Sequence, residues 1–290
     1  MTISEARQKI LNELKDVYDK VEALNVAELV LEKVSNQERT DWLKNKDLFL
    51  SPEQIEELKK ILIRLKDNEP VQYALEEAWF AGMKFKVNKN VLIPRPETEE
   101  LVDWIVKEIN IQYSTPNVQY SILDIGTGSG CIPIALKKKI PKASVTAIDI
   151  CSEALHIALE NAVAFNTEID FRLMDFLDEE KWNELGKFDI IVSNPPYVMQ
   201  TEKVIMHPRV TVYEPPLALF VPDDDALIFY KKLVRFSLLH LNKNGKLFVE
   251  INESLGKDVV ELFMKKGFTS IELKKDMQGK DRMVRAVFNS

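Results

Sequence analysis

The sequence predicts an α/β protein in which a small all-α bundle precedes a mostly parallel sheet flanked by helices. Three observations carry this prediction. Residues 1–72 place apolar side chains at helical spacing, and no glycine occurs before Gly82. From Tyr120 onward strand and helix patterns alternate, which implies parallel strands joined by crossover helices. Two expected strands end in loops of unusual chemistry, one rich in glycine and one reading Asn-Pro-Pro-Tyr. Ligands of open α/β sheets bind outside the carboxyl ends of their strands.

In the front segment, Ile10, Leu11, Leu14, Val17 and Val21 form one stripe, and Val26, Leu29, Val30 and Val34 another. Ile55, Leu58, Leu62 and Leu65 form a third. Ser4 with Gln8 nearby reads as a helix start, as does Ser51-Pro52-Glu53, with proline at the first helical position. Four or five helices are expected over 1–72, a packing module suited to docking a macromolecular partner. Residues 73–95 change character: Trp79-Phe80-Ala81-Gly82-Met83-Lys84-Phe85 reads as a short β-hairpin linker. The Leu92-Ile93-Pro94-Arg95-Pro96 stretch is either a rigid connector or a wall of the site. A helix with the stripe Leu101, Val102, Ile105 and Ile109 follows Pro96, with Glu97 and Glu99 in the first turn, where the helix dipole favours acids.

The first strand of the sheet is expected over 121–125 and runs into Asp124-Ile125-Gly126-Thr127-Gly128-Ser129-Gly130, then a helix over 132–139. Glycines there let the backbone turn sharply and approach a ligand, with helix amides facing it. The spacing is Gly-x-Gly-x-Gly, which differs from the Gly-x-Gly-x-x-Gly of dinucleotide sites, and no Lys-Ser/Thr follows as in a phosphate-binding loop. A second strand over 144–148 delivers Asp149, an acid placed to accept from the two hydroxyls of a ribose. After a helix marked by Ala154, Ile157, Ala158, Ala162 and Phe165, a third strand near Phe171 closes at Met174-Asp175-Phe176. Asp175 can accept from an adenine amine and Phe176 can pack on its ring; a purely structural role fits both equally.

The fourth strand, 188–193, delivers Asn194-Pro195-Pro196-Tyr197. Two consecutive prolines can neither donate to a ladder nor continue into a helix, so the chain leaves the sheet as a stiff extended loop. The Asn194 amide oxygen and the Pro195 carbonyl can accept the two hydrogens of a planar NH2 group while Tyr197 stacks on its conjugated plane. A long loop over 198–225 carries Tyr213-Glu214-Pro215-Pro216, and loops of this length are usually functional or mobile. A helix over 226–241, a strand over 246–251, a helix over 255–266 and an antiparallel strand pair over 268–273 and 283–288 complete the chain.

At 290 residues the chain can bury a sizeable core, and 46% hydrophobic with 29% charged residues is ordinary globular composition. A net charge of −7 argues against broad binding to a phosphate backbone, so no stable nucleic-acid complex is expected. No apolar run approaches the ~20 residues of a membrane span, and MTISEARQKI lacks a signal core, which makes the cytoplasm the simplest compartment. Cys131 and Cys151 have neither zinc-type spacing nor a histidine to activate a thiol. His156, His207 and His240 are scattered, so no metal site is expected.

With these residues in view, the chain resembles the S-adenosylmethionine-dependent methyltransferases of the seven-stranded, Rossmann-like type. DIGTGSG, Asp149 and NPPY occur in that superfamily's order, and the NPPY form occurs in enzymes that methylate planar amino groups of adenine, cytosine or glutamine. Further stretches resemble the release factor glutamine methyltransferase family: Pro70-Val71-Gln72-Tyr73, LIPRPETE from Leu92 to Glu99, YEPPLAL from Tyr213, and Lys275 to Arg282. The resemblance covers residues 70–290 closely and the helical front in layout. Two departures occur: Ala74-Leu75-Glu76-Glu77 stands where the family often carries a glycine, and Glu250-Ile251-Asn252 replaces Glu-Ile-Gly. Both are expected to lie off the methyl-transfer site.

The resemblance implies a methyltransferase domain over 96–290 behind the 1–72 bundle and the 73–95 linker. It implies S-adenosylmethionine as cofactor, held by Asp124, Gly126, Thr127, Gly128, Ser129, Gly130, Asp149, Asp175, Phe176 and Asn194. The implied substrate is the glutamine of the Gly-Gly-Gln loop of peptide chain release factors, bound by Asn194, Pro195, Pro196 and Tyr197 with Arg95 and Pro96 as a wall. A monomer is expected. The alternative is a nucleic-acid adenine methyltransferase, which would use the same NPPY residues on a flipped base. A partner-binding scaffold without catalysis is the alternative from another class, and failure to bind S-adenosylmethionine would favour it.

Overall fold

The computed structural model describes residues 1–37, 39–44, 47–112 and 119–289. The helices of the front segment are α1 (Ile3–Leu14), α2 (Lys20–Ser35), α3 (Arg39–Lys44), α4 (Pro52–Lys66) and α5 (Val71–Leu75). There follow β1 (Glu77–Phe80), β2 (Met83–Lys86), α6 (Pro96–Gln112), β3 (Ser121–Ile125), α7 (Cys131–Lys139), β4 (Ser144–Asp149), α8 (Ser152–Ala164), β5 (Asp170–Leu173) and β6 (Phe188–Ser193). The remainder is β7 (Val198–Met199), α9 (Pro208–Tyr213), β8 (Phe220–Val221), α10 (Ile228–His240), β9 (Leu241–Glu250), α11 (Gly256–Lys265), β10 (Thr269–Lys275) and β11 (Asp281–Val287). The chain forms two compact units, Met1–Glu77 with His207–Tyr213, and Ala78–Met206 with Glu214–Ser290.

In the first unit the apolar stripes of α1, α2 and α4 converge on a core that includes Ile10, Leu14, Val30, Leu31, Leu58 and Leu65. Helix α1 starts two residues earlier than Ser4 suggests, because Thr2 accepts from the Glu5 amide while the Glu5 carboxylate accepts from the Thr2 amide. Ser51 and Gln54 make the same reciprocal pair at α4. The Arg64 guanidinium takes both oxygens of Glu69 at 2.6 and 2.7 Å and donates to the Tyr73 and Ala74 carbonyls at the end of α5. α9 belongs to this unit: Arg209 lies 3.9 Å over the Tyr18 ring and donates to Glu22 and the Val17 carbonyl.

Glu76, at the departure from the family's glycine, holds φ +58°. A side chain in that left-handed region is strained where glycine is not. Glu76→Gly is therefore expected to stabilise the protein by about 0.5–1 kcal/mol. A melting temperature that falls on this substitution would refute the strain argument.

The second unit is built on a seven-stranded sheet of order β10-β11-β9-β6-β3-β4-β5. Its strands pair in parallel except for β11, which runs antiparallel to both β9 and β10. Strands buried on both faces read as unbroken apolar runs, and β6 shows why. Ile190 and Val192 enter one core with α6 and α7, while Ile191 enters the other with α10 and α11. The hairpin expected as a linker is β1–β2, and Phe80 and Phe85 are fully buried in the α6–α7 core.

Most boundaries differ from the expected ones by a residue or two, and the larger differences lie after β6. α10 passes directly into β9, which starts at Leu241 instead of 246 and carries an irregularity in its pairing with β6. A short turn, Glu253–Leu255, precedes α11. The long loop is not structureless: β7 and β8 pair in parallel across it, Val198 with Phe220 and Met199 with Val221.

The strand order reverses between β3 and β6, since the chain goes from β3 outward through β4 and β5 before returning to β6 on the other side. Such a switch point opens a crevice at the carboxyl ends of the two strands. Ile125 and Ser193 are register partners there, and the Ser193 hydroxyl donates to the Ile125 carbonyl at 2.8 Å. The glycine loop and the NPPY loop thus leave adjacent strands at the same level.

Candidate active site

A cavity of about 290 Å³ opens at this switch point. It is lined by the loops that follow β3, β4, β5 and β6, including Gly126, Gly128, Asp149, Asp175, Phe176, Asn194, Pro195 and Pro196. Apolar walls with a few convergent polar groups at such a volume fit a small-molecule site.

The glycine loop takes the shape that its sequence requires. Gly128 has φ +54° and faces open space, and its amide donates to Asp149 Oδ2 at 2.8 Å. Gly130 has φ +79°, and a Cβ there would lie 3.1 Å from the Ala158 side chain, so this third glycine serves the packing of the loop against α8. Asn161 of α8 holds the loop from behind, donating to the Ser129 carbonyl at 2.9 Å and exchanging two bonds with the Lys86 backbone. Asp149 also accepts from the Cys151 amide at 2.9 Å, and the two backbone donors oppose the rise that burial imposes on its carboxyl.

Asp124 is wholly buried and does not line the cavity. Burial pushes its carboxyl up to about 7. The Thr127 hydroxyl favours the charged form, although among the described residues neither Asp124 oxygen has a well-aligned hydrogen-bond partner. Thr127 and Ser129 are buried in the loop and stay off the cavity wall. Asp175 lines the cavity and caps its own loop by accepting from the Leu177 amide at 2.9 Å. Phe176 lines the cavity, and its ring is also stacked on Trp182 at 5.6 Å in the core.

The NPPY residues divide. Asn194, Pro195 and Pro196 line the cavity, whereas Tyr197 packs toward the α10–α11 core and donates its hydroxyl to Glu250 Oε1 at 3.0 Å. Arg95 and Pro96 are not among the lining residues. Arg95 is held by Glu214, which is 2% exposed and takes the guanidinium with both oxygens at 2.6 and 2.7 Å; Pro96 opens α6. This is a charge-assisted clasp between the LIPRPETE and YEPPLAL stretches. Asn194 Nδ2 donates to Thr98 Oγ1 at 3.1 Å, and Thr98 donates to Glu250 Oε2 at 2.6 Å.

Residues 109–213 match the model of the methyltransferase small domain, and residues 5–75 match that of the PrmC N-terminal domain. The chain is 45% identical to a release factor glutamine methyltransferase of Flavobacterium psychrophilum, over 99% of this chain and 100% of the relative. The chain belongs to the release factor glutamine methyltransferase family. A second member of that family, from Bacteroides thetaiotaomicron, is 42% identical over 96% of this chain and 97% of its own. Among solved structures, the hMettl16 catalytic domain superimposes with a TM-score of 0.55 at 15% identity, covering 89% of this chain and 91% of that one. At that identity the likeness concerns the fold.

Four buried polar residues that were not read as site residues from the sequence support the cavity from behind its wall. Thr98, Glu214 and Glu250 are 2, 2 and 1% exposed, and Asn161 is also buried. Glu250 does not line the cavity, and it stands one hydroxyl away from Asn194. A signal for it exists in the sequence: a carboxylate ends the apolar run Leu247-Phe248-Val249, and a buried charge demands partners. Asn252, the other departure, has an ordinary φ of −64°, caps Ser254 and donates to the Tyr197 carbonyl at 3.3 Å.

Proposed function

We propose that this chain methylates the side-chain amide nitrogen of the glutamine in the Gly-Gly-Gln loop of peptide chain release factors. The observation that carries this reading is the placement of the Asn194 carboxamide and the Pro195 carbonyl on the wall of the same cavity as the glycine loop and Asp149. It is an S-adenosylmethionine-dependent methyltransferase, and the residues present fit that cofactor. Asp149 retains lone pairs for ribose hydroxyls beyond those used by two backbone amides. Asp124 is buried off the cavity wall, so no contact with the cofactor is assigned to it. Phe176, an aromatic side chain on the cavity wall, suits a purine.

Bound S-adenosylmethionine supplies an electrophilic methyl group on a positively charged sulfur. The chain's own task is to aim a poor nucleophile, since the amide nitrogen's lone pair is delocalised into its carbonyl. Asn194 Oδ1 and the Pro195 carbonyl accept the two N–H bonds and so turn the nitrogen's lone pair toward the methyl group. As the new N–C bond forms and the S–C bond breaks, the nitrogen becomes acidic and sheds a proton to solvent, so no base need act beforehand. Orientation of this kind can supply several kcal/mol, and up to ~7–11 in ideal intramolecular cases.

Every residue lining the cavity belongs to the second unit. The helical unit is assigned to docking the release factor, which predicts a lower KM for the whole factor than for an excised Gly-Gly-Gln peptide. The monomer and the cytoplasmic location remain part of the same reading. Among the described residues no helix is long and apolar enough to cross a membrane.

Tritium transfer from labelled S-adenosylmethionine tests the assignment with three acceptors: purified release factor, its glutamine-to-alanine loop variant, and DNA. Label on the wild-type factor alone is expected. Label on DNA would replace the reading with an adenine methyltransferase. Asp149→Ala is expected to weaken S-adenosylhomocysteine binding by roughly 10–100-fold, the value of one or two charge-assisted hydrogen bonds. Unchanged affinity by calorimetry would remove Asp149 from the ribose site.

A further inference from the structure

A carboxamide can turn either its oxygen or its NH2 group toward a cavity, and only the oxygen can accept an amide N–H. Nothing within Asn194-Pro195-Pro196-Tyr197 decides between the two. The decision is made by two residues outside the loop. Thr98, in the first turn of α6, owns a single hydroxyl proton, and Glu250 at the end of β9 takes it at 2.6 Å. The Thr98 oxygen is then left only able to accept, and it accepts from Asn194 Nδ2 at 3.1 Å. Turning the carboxamide over would set two acceptors face to face with no proton between them.

The second oxygen of Glu250 accepts the Tyr197 hydroxyl at 3.0 Å, so both ends of the NPPY motif are referenced to one carboxylate. That carboxylate sits on the strand beside β6, where Ser193 pairs with Val249. Burial leaves the Glu250 carboxyl raised, with the charge of Glu97 adding to the rise and the Thr98 and Tyr197 hydroxyls and the charge of Arg282 opposing it. Each of its oxygens accepts one hydroxyl, Oε2 from Thr98 and Oε1 from Tyr197.

We propose that Thr98 and Glu250 are positioning residues that fix the sense of the Asn194 carboxamide, with its oxygen toward the substrate. This deepens the glutamine-methylation reading and rests on it. Neither residue touches the cavity, so both act through Asn194.

The test uses the full-length protein with S-adenosylmethionine and purified release factor. Thr98→Val keeps the shape and removes the hydroxyl; Thr98→Ser keeps the hydroxyl. Thr98→Val is expected to lower kcat by roughly 10–100-fold, a loss typical of a misaimed group. S-adenosylhomocysteine affinity is expected to stay within about threefold, and Thr98→Ser to recover kcat to within about threefold of the parent. A Thr98→Val enzyme with parental kcat overturns the proposal, as does a serine variant as poor as the valine one. A measurement on the unsubstituted protein keeps the question open to refutation if Thr98→Val fails to fold. The Asn194 side-chain amide should show one slowly exchanging proton by nitrogen-edited NMR, and rapid exchange of both overturns the proposal. That measurement needs no substrate, so wild-type protein that labels no release factor would sink the glutamine reading while the exchange data still decide the positioning.

Discussion

Asn194→Ala is expected to lose about 10²–10³ in kcat, or ~3–4 kcal/mol of transition-state stabilisation. The side chain contributes one of the two acceptors that aim the substrate nitrogen, and it lies on the cavity wall where alanine leaves a gap. The Pro195 carbonyl persists in the variant, so the nitrogen keeps one tether and rotates about it. Affinity for S-adenosylhomocysteine should change little, because the glycine loop and Asp149 are untouched. The two readouts together separate positioning from folding. A loss below tenfold on release factor would remove Asn194 from the mechanism, whereas a parallel collapse of product affinity would reassign it to the cofactor. Asn194→Asp is a sharper companion: it keeps an acceptor oxygen but loses the NH2 that donates to Thr98 and adds a charge beside Glu250. It is expected to be as inactive as alanine.

The second large effect concerns stability. Asp124 carries a carboxyl that burial pushes from an ordinary 3.8 up to about 7. The folded state therefore holds this proton more tightly than the unfolded chain does. Below pH 4 both states are protonated and the ionisation costs nothing. As pH rises from about 4 to about 7 the unfolded chain releases its proton first, and the folded state loses stability by about 1.4 kcal/mol per pH unit. The loss levels off above pH 7 at up to ~4 kcal/mol. Asp124→Asn removes the titration. Whatever constant cost a buried amide brings, the stability difference between variant and parent should shift in the variant's favour by up to ~4 kcal/mol from pH 4 to pH 8. Urea unfolding of the ligand-free proteins across that range measures it, and a difference flat with pH would rule the buried ionisation out.

Much of the site was legible because it is local in sequence. The β3 strand ending in three glycines and the β6 strand ending in Asn-Pro-Pro are signals that no distant residue can override, and both loops stand where the pattern puts them. The same locality explains the misplaced tyrosine. Tyr197 was read as a stacking face because it follows the prolines, but two prolines fix the backbone and say nothing about which way the next side chain turns. Its hydroxyl finds Glu250, 53 residues on, and that partner is decided by how β9 registers against β6. Arg95 fails for a like reason: a cation near a presumed pocket is readable, but its capture by Glu214 across 119 residues is a fact of tertiary structure. Thr98 stands in the LIPRPETE stretch but, like Asn161, nothing in its residue type announces its role, which lies in the backbone and side-chain atoms that it meets.

The two margins of the seven-stranded sheet bear on how copies of the protein meet in solution. One margin is β5, only four residues long, with Asp170 and Arg172 paired to each other along it. The other is β10, whose pairing with β11 is broken twice by irregularities and whose outer positions include Glu272, Lys274 and Lys275. Neither margin offers the long, flat, apolar strand that another chain could extend by hydrogen bonding. Short length at one side, and charge with distortion at the other, protect the sheet from edge-to-edge aggregation, so concentrated protein should remain free of β-rich association while it stays folded.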